Sequence, residues 1–91
     1  MIIARRCTIR GRVQGVGFRY FVAAEAAGFK VGGYVRNLMD GGVEALLEGD
    51  EGQVLALIDR IRQGPRWSRV EEVQVEVLAP SGKLTRFQIT G

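Results

Sequence analysis

The sequence predicts an α+β fold in which an antiparallel sheet carries two helices on one face. Three observations lead there. Apolar residues alternate with period two in several stretches, and they recur at helical spacing in two others. The two kinds of stretch follow one another as β-α-β-β-α-β, with a short strand at the end.

In the first stretch Ile3, Cys7, Ile9 and Val13 share one face, while Arg6, Thr8, Arg10 and Arg12 share the other. Arg5 and Gly11 are exceptions on the apolar side of this strand. After a glycine-rich loop, Phe18, Val22, Ala26 and Phe29 recur at helical spacing, and Gly28 offers a stop, predicting a helix over about residues 18–28. "VGGYVRN" and "GGVEALLEG" read as two strands joined across "LMDGG", where Asp40-Gly41 is a hairpin signal because glycine accepts positive φ. Asp50 stands where an N-cap belongs and Gln53 follows three residues on, as in a capping box. Val54, Leu57, Ile58 and Ile61 then mark an amphipathic helix that Gly64-Pro65 ends. "VEEVQVEVL" alternates Val73, Val75 and Val77 with polar residues, and a last short strand carries Leu84, Phe87 and Ile89. This order is that of a single ferredoxin-like βαββαβ sandwich spanning residues 1–91. Because that architecture serves enzymes, RNA-binding modules and regulators alike, the function has to come from a site.

Composition narrows the chemistry. The 91 residues suffice for one small core, and 46% hydrophobic with 25% charged residues is an ordinary globular balance. No apolar run approaches the roughly 20 residues of a membrane helix, so no membrane partner is expected. One cysteine forbids an internal disulfide and a cysteine zinc cluster, which fits a reducing cytoplasm. Histidine is absent, which removes the commonest general base and metal ligand and every Ser-His or Cys-His nucleophile. Any reaction here has to run on positioning and charge, or on carboxylates. The charge is uneven: residues 1–37 hold seven basic residues against Glu25 alone, whereas residues 38–91 hold six basic and nine acidic ones. An anionic ligand is therefore expected at the N-terminal half.

"GRVQGVGFRY", residues 11–20, lies where such a ligand would bind. Between a strand and a helix N-terminus, Gly15, Val16, Gly17, Phe18 and Arg19 supply successive amides, and Arg19 adds a forked, permanently charged donor. It is not a nucleotide P-loop, which needs Gly-Lys-Ser/Thr. Nor is it the dinucleotide fingerprint, which needs glycine where Tyr20 stands. Spacing alone leaves two readings open, a tight turn with a surface arginine or an anion cradle. Asn37, at the end of the second strand, is likewise either a turn residue or an amide that holds a water or substrate oxygen.

Taken together, "GRVQGVGFR", "GYVRN" and "DGGVEALLEG" closely resemble the acylphosphatase family. Both signatures, G-x-V-Q-G-V-x-F-R and G-[WY]-V-R-N-x-x-D-G-x-V-E, fit without a gap, and the resemblance runs to the final "FQI". It implies a hydrolase that cleaves the carboxyl–phosphate bond of a small acyl phosphate, using no cofactor and no metal. It further implies Arg19 and Asn37 as the catalytic residues, Arg19 binding phosphate beside the loop amides and Asn37 orienting the attacking water. Leu38 departs from relatives that carry threonine after the asparagine, which removes one possible hydroxyl contact.

The alternative class is a non-catalytic module that binds RNA or a protein partner. RNA recognition on this fold needs aromatics on the central strands, and the first strand has none, so no nucleic-acid partner is expected. Arg6, Arg10 and Arg12 are expected on the open face of the sheet, as solvated charge. A free-standing monomeric enzyme is expected, rather than a module of a larger carbamoyl-transfer protein.

Overall fold

β1 (Ile2–Arg12) runs through the middle of the sheet, antiparallel both to β3 (Val43–Asp50) and to the edge strand β4 (Arg69–Leu78). β3 pairs antiparallel with β2 (Gly32–Asn37), and the short β5 (Phe87–Thr90) adds to the outer side of β2. The order is β4-β1-β3-β2-β5. Helices α1 (Phe18–Phe29) and α2 (Glu51–Gln63) complete the βαββαβ order of this computed structural model, which describes residues 1–91. The four-strand core is antiparallel as expected, but β5 lies parallel to β2, so the whole sheet is mixed. The parallel pairing follows from the connection: residues 79–86 must carry the chain from the β4 edge across to the opposite edge.

Both helices lie on one face. Cys7 and Ile9 of β1, Val13 just after it, Val35 of β2 and Ala45 and Leu47 of β3 meet Phe18, Val22 and Ala26 of α1. Val54, Leu57, Ile58 and Ile61 of α2 complete the same core. The period-two and period-3.6 patterns therefore pack against each other, the arrangement that stabilises a two-layer domain. Gly11, the odd residue on the apolar side of β1, sits at a register shift against β4 with φ 126°, where a Cβ would strike the Arg69 carbonyl. Only glycine allows that approach.

Local details differ from the sequence expectations in four places. α1 runs through Gly28 to Phe29 and is capped by Lys30, which takes the left-handed conformation at φ 56° and donates its amide to the Ala26 and Ala27 carbonyls. Asp50 caps α2 by accepting from the Gly52 amide at 3.3 Å, but Gln53 makes no return bond, so half of the capping box forms. Val77 faces the helix side beyond the reach of α2 and is 71% exposed. Leu84 belongs to the connection before β5 and not to the strand itself.

That connection is held by Glu48. Its neighbour Leu47 faces the helices, so Glu48 points to the opposite, open face, where it is nevertheless 4% exposed. Its carboxylate accepts from the amides of Ser81 and Gly82 at 2.8 Å each and from the Ser81 hydroxyl. Burial alone would raise the Glu48 pKa. The amides of Ser81, Gly82 and Leu84 and the Ser81 hydroxyl outweigh burial and hold it below the ordinary value. Gly32 lies directly under this strap, where a Cβ would meet the Leu84 carbonyl.

Candidate active site

The end of the sheet opposite the strap gathers the C-termini of β1 and β2 and the N-terminus of α1. Two glycines there adopt left-handed backbone, Gly15 at φ 74° and Gly17 at φ 77°, and the chain folds back within a few residues of Arg12 to start α1. Gly17 is the N-cap residue and offers no side chain to the helix. The first hydrogen bond of the helix runs from the Phe21 amide to the Gly17 carbonyl. Consequently none of the amides from Gly15 to Tyr20 donates to an acceptor within the protein. Unpaired amides at the positive end of a helix dipole form an anion site.

These residues line a pocket of about 220 Å³ formed by Val13, Gly15, Gly17, Phe18, Arg19, Tyr20 and Asn37. Arg19 projects from the first turn of α1, is part-exposed, and makes no ion pair. Asn37 follows Val35 and Arg36 in the alternation of β2. Val35 is buried under the helices and Arg36 is outside, so Asn37 returns to the helix side at the strand end, beside the start of α1. The structure thus brings Arg19 and Asn37, 18 positions apart in sequence, into one pocket with the amides of Gly15, Gly17 and Phe18. Val16 is the exception. Its side chain packs against the core and it does not line the pocket.

One residue that joins the two halves had no role assigned from sequence. The Gln14 Nε2 donates to the Leu38 carbonyl and to the Gly42 carbonyl, each at 2.8 Å. With two carbonyls as partners, the amide nitrogen has to face them. Gln14 therefore ties the glycine loop to the β2–β3 hairpin, whose five-residue turn also closes with the Leu38 amide on the Gly42 carbonyl at 2.8 Å. The signal was visible as the glutamine of "GRVQGVGFR", but its partners lie 24 and 28 residues away.

The charges around the pocket are sorted. On the open face Arg36 pairs with Glu44 at 2.8 Å, and the Tyr34 hydroxyl donates to the same carboxylate at 3.0 Å. Burial would raise the Glu44 pKa, but those two bonds bring it below the ordinary value. Arg10 pairs with Asp40 at 2.8 Å, and this bond, helped by the Gly42 amide, lowers the Asp40 pKa. Arg6 faces Glu76 at 3.4 Å. Arg6, Arg10 and Arg36 are thus opposed by carboxylates while Arg12 makes no ion pair, and no carboxylate, histidine or cysteine lines the pocket of Arg19 and Asn37. A larger, shallower groove of about 460 Å³ lies beneath the strap at the other end. Its two carboxylates, Glu48 and Asp50, are already engaged by main-chain amides, and Asp50 also by the N-terminal amine.

A small α+β domain with an amide-and-arginine cradle at a βα turn is a phosphate-handling module. The acylphosphatase family model matches residues 5–89, and the chain belongs to that family. It is 48% identical over 77 residues to an acylphosphatase of Moorella thermoacetica, covering 85% of this chain and 83% of that one. The crystal structure of acylphosphatase from Bacillus subtilis superposes with a TM-score of 0.94 at 38% identity, over 100% of both chains. A full-length HypF, in its phosphate- and nucleotide-bound form, contains a similar module with TM-score 0.88 and 34% identity. There the match covers all of this chain but 12% of that one. No helix is long and apolar enough to cross a membrane.

Proposed function

We propose that the chain carries out its family's reaction, hydrolysis of an acyl phosphate to a carboxylate and inorganic phosphate, by positioning and charge alone. The unpaired amides of the glycine loop carry this reading. The amides of Gly15, Gly17, Phe18 and Arg19, with that of Val16 among them although its side chain turns to the core, are offered to the phosphate, and the Arg19 guanidinium closes on its remaining oxygens. The Asn37 side chain, across the pocket, holds a water in line with the scissile P–O bond.

Water oxygen attacks phosphorus, the P–O bond to the acyl group breaks, and the electron pair leaves on the carboxylate. That leaving group is a weak base and needs no general acid, so a chain without histidine loses nothing. The water's proton goes to a phosphate oxygen of the substrate itself. Charge spreads over the equatorial oxygens in the transition state, where preorganised amides and an arginine stabilise it most. No group of three metal-ligating side chains converges in the fold, and none lines this pocket.

The test is hydrolysis of benzoyl phosphate in EDTA by the protein and by its Arg19→Ala and Asn37→Ala variants. Arg19→Ala is expected to lose nearly all turnover and most inhibition by inorganic phosphate. Asn37→Ala is expected to lose turnover while phosphate inhibition stays within a fewfold. Full activity in Asn37→Ala removes its water-holding role, and turnover that disappears in EDTA removes the metal-free mechanism.

A further inference from the structure

With the phosphate seated against the amides, the acyl group points away from them, toward the open side of the pocket of about 220 Å³. Tyr20 lines the pocket from the first turn of α1 and is 72% exposed, and its hydroxyl makes no hydrogen bond. Met39, two residues after Asn37 in the hairpin turn that Gln14 anchors, is fully exposed. Single exposed apolar residues are common and need no explanation. Tyr20 differs in lining the candidate pocket itself, on the helix turn that carries Arg19.

We infer that Tyr20 selects the acyl group, favouring acyl phosphates whose acyl part is apolar and flat over small ones such as acetyl phosphate. This rests on reading the pocket as an acyl-phosphate site. An aromatic face beside the scissile bond gains from stacking against a planar acyl group. Part of its area leaves water only when the substrate is bound. A methyl group has too little surface to gain in this way. Tyr20 acts on recognition and not on the bond that breaks, so its effect falls on KM more than on kcat.

The experiment compares kcat/KM for benzoyl and acetyl phosphates in the protein and in Tyr20→Ala, Tyr20→Phe and Met39→Ala. Tyr20→Ala is expected to lower the benzoyl-to-acetyl ratio by about three- to tenfold, mainly through KM, the size of one aromatic contact. Tyr20→Phe is expected to keep the ratio, because the ring and not the hydroxyl makes the contact, and Met39→Ala, an exposed apolar residue that does not line the pocket, to keep it as well. Inorganic phosphate, which has no acyl group, reports the cradle separately and should inhibit Tyr20→Phe and Tyr20→Ala alike. Turnover of both substrates with an unaltered ratio in Tyr20→Ala overturns the assignment and leaves the reaction standing. A ratio that falls as far in Tyr20→Phe overturns it too. Absence of turnover with either substrate in the unmodified protein takes down the reaction reading, and this inference with it.

Discussion

Replacing Gln14 by alanine tests whether one side chain sets the distance between the two halves of the site. The amide nitrogen makes two hydrogen bonds of 2.8 Å, to the Leu38 and Gly42 carbonyls. Each such bond contributes about 0.5–1.5 kcal/mol net, and the carbonyls left behind sit in a part-buried turn. The variant should therefore lose about 2 kcal/mol of stability, roughly a 10 °C fall in Tm for a domain of this size. The catalytic effect should be larger in one parameter than the other. The phosphate cradle lies on the Gln14 side of the joint, and Asn37 lies on the hairpin side. Under the proposed mechanism, loosening the joint misplaces the water and spares the phosphate, so kcat should fall about tenfold while the inhibition constant for inorganic phosphate moves less than twofold. Gln14→Glu should be worse near neutral pH, since an ionised carboxylate faces two carbonyl oxygens with no proton to donate. Benzoyl phosphate turnover, phosphate inhibition and thermal melting, measured on both variants at 25 °C, decide the matter. A lowered Tm with kcat within twofold of the parent refutes the positioning argument and leaves Gln14 a purely structural residue.

Three further outcomes follow from groups away from the pocket. Glu48 has a lowered folded-state pKa, so its contribution is fully present above the ordinary value of 4.5 and is lost as the pH falls through the folded value. Glu48→Gln should flatten the acid limb of a Tm-versus-pH curve, and an unaltered acid limb would count against the clamp. Cys7 is completely buried and its thiol is pushed up to about 11 by burial, with Arg62 and Arg5 opposing, so a thiol reagent at pH 8 should label it only as fast as the chain unfolds. Stoichiometric labelling within minutes in native buffer would contradict that burial. Lys30 holds a left-handed conformation at φ 56° that costs a residue with a Cβ about 1–2 kcal/mol, so Lys30→Gly should raise stability by up to about 1 kcal/mol after glycine's entropy cost, and the melting temperature with it. A fall in Tm would mean the lysine side chain contributes more than its backbone strain.

What could be read from sequence was what neighbours in the chain decide. The alternation in β1, the i, i+3, i+4, i+7 pattern of α2 and the Asp50 cap depend on residues within a turn or two, and each formed. The site was legible for a related reason, since the glycine loop is contiguous and Asn37 ends a strand whose alternation sets its face. What escaped depends on distant partners. Gln14 reads as one more polar loop residue until the hairpin 24 residues on is placed against it. Glu48 reads as an outward strand carboxylate, and nothing near it announces the main-chain amides 33 and 34 residues later that bury it. Val77 shows the reverse failure. Its alternation is sound, but it sits on the edge strand, where the helices leave it exposed. α1 ends one residue beyond Gly28, at Phe29, because Lys30 accepted the left-handed conformation that glycine usually supplies.

The strap held by Glu48 also divides the molecule into parts that open separately. β5 is four residues long, bonds to β2 alone, and reaches it through a connection whose main fastening is one carboxylate. Releasing that carboxylate frees the strap and β5 without unzipping β4, β1, β3 or β2, so this segment is a low-energy unit of amide exchange. The Gly33 amide, which donates to the Arg86 carbonyl at 2.8 Å, exchanges when the strap lifts, while the amides of the β1–β3 ladder wait for the whole sheet. Acid would speed the first process before the second, and the protein would shed its last strand while the strand that carries Asn37 stays in place.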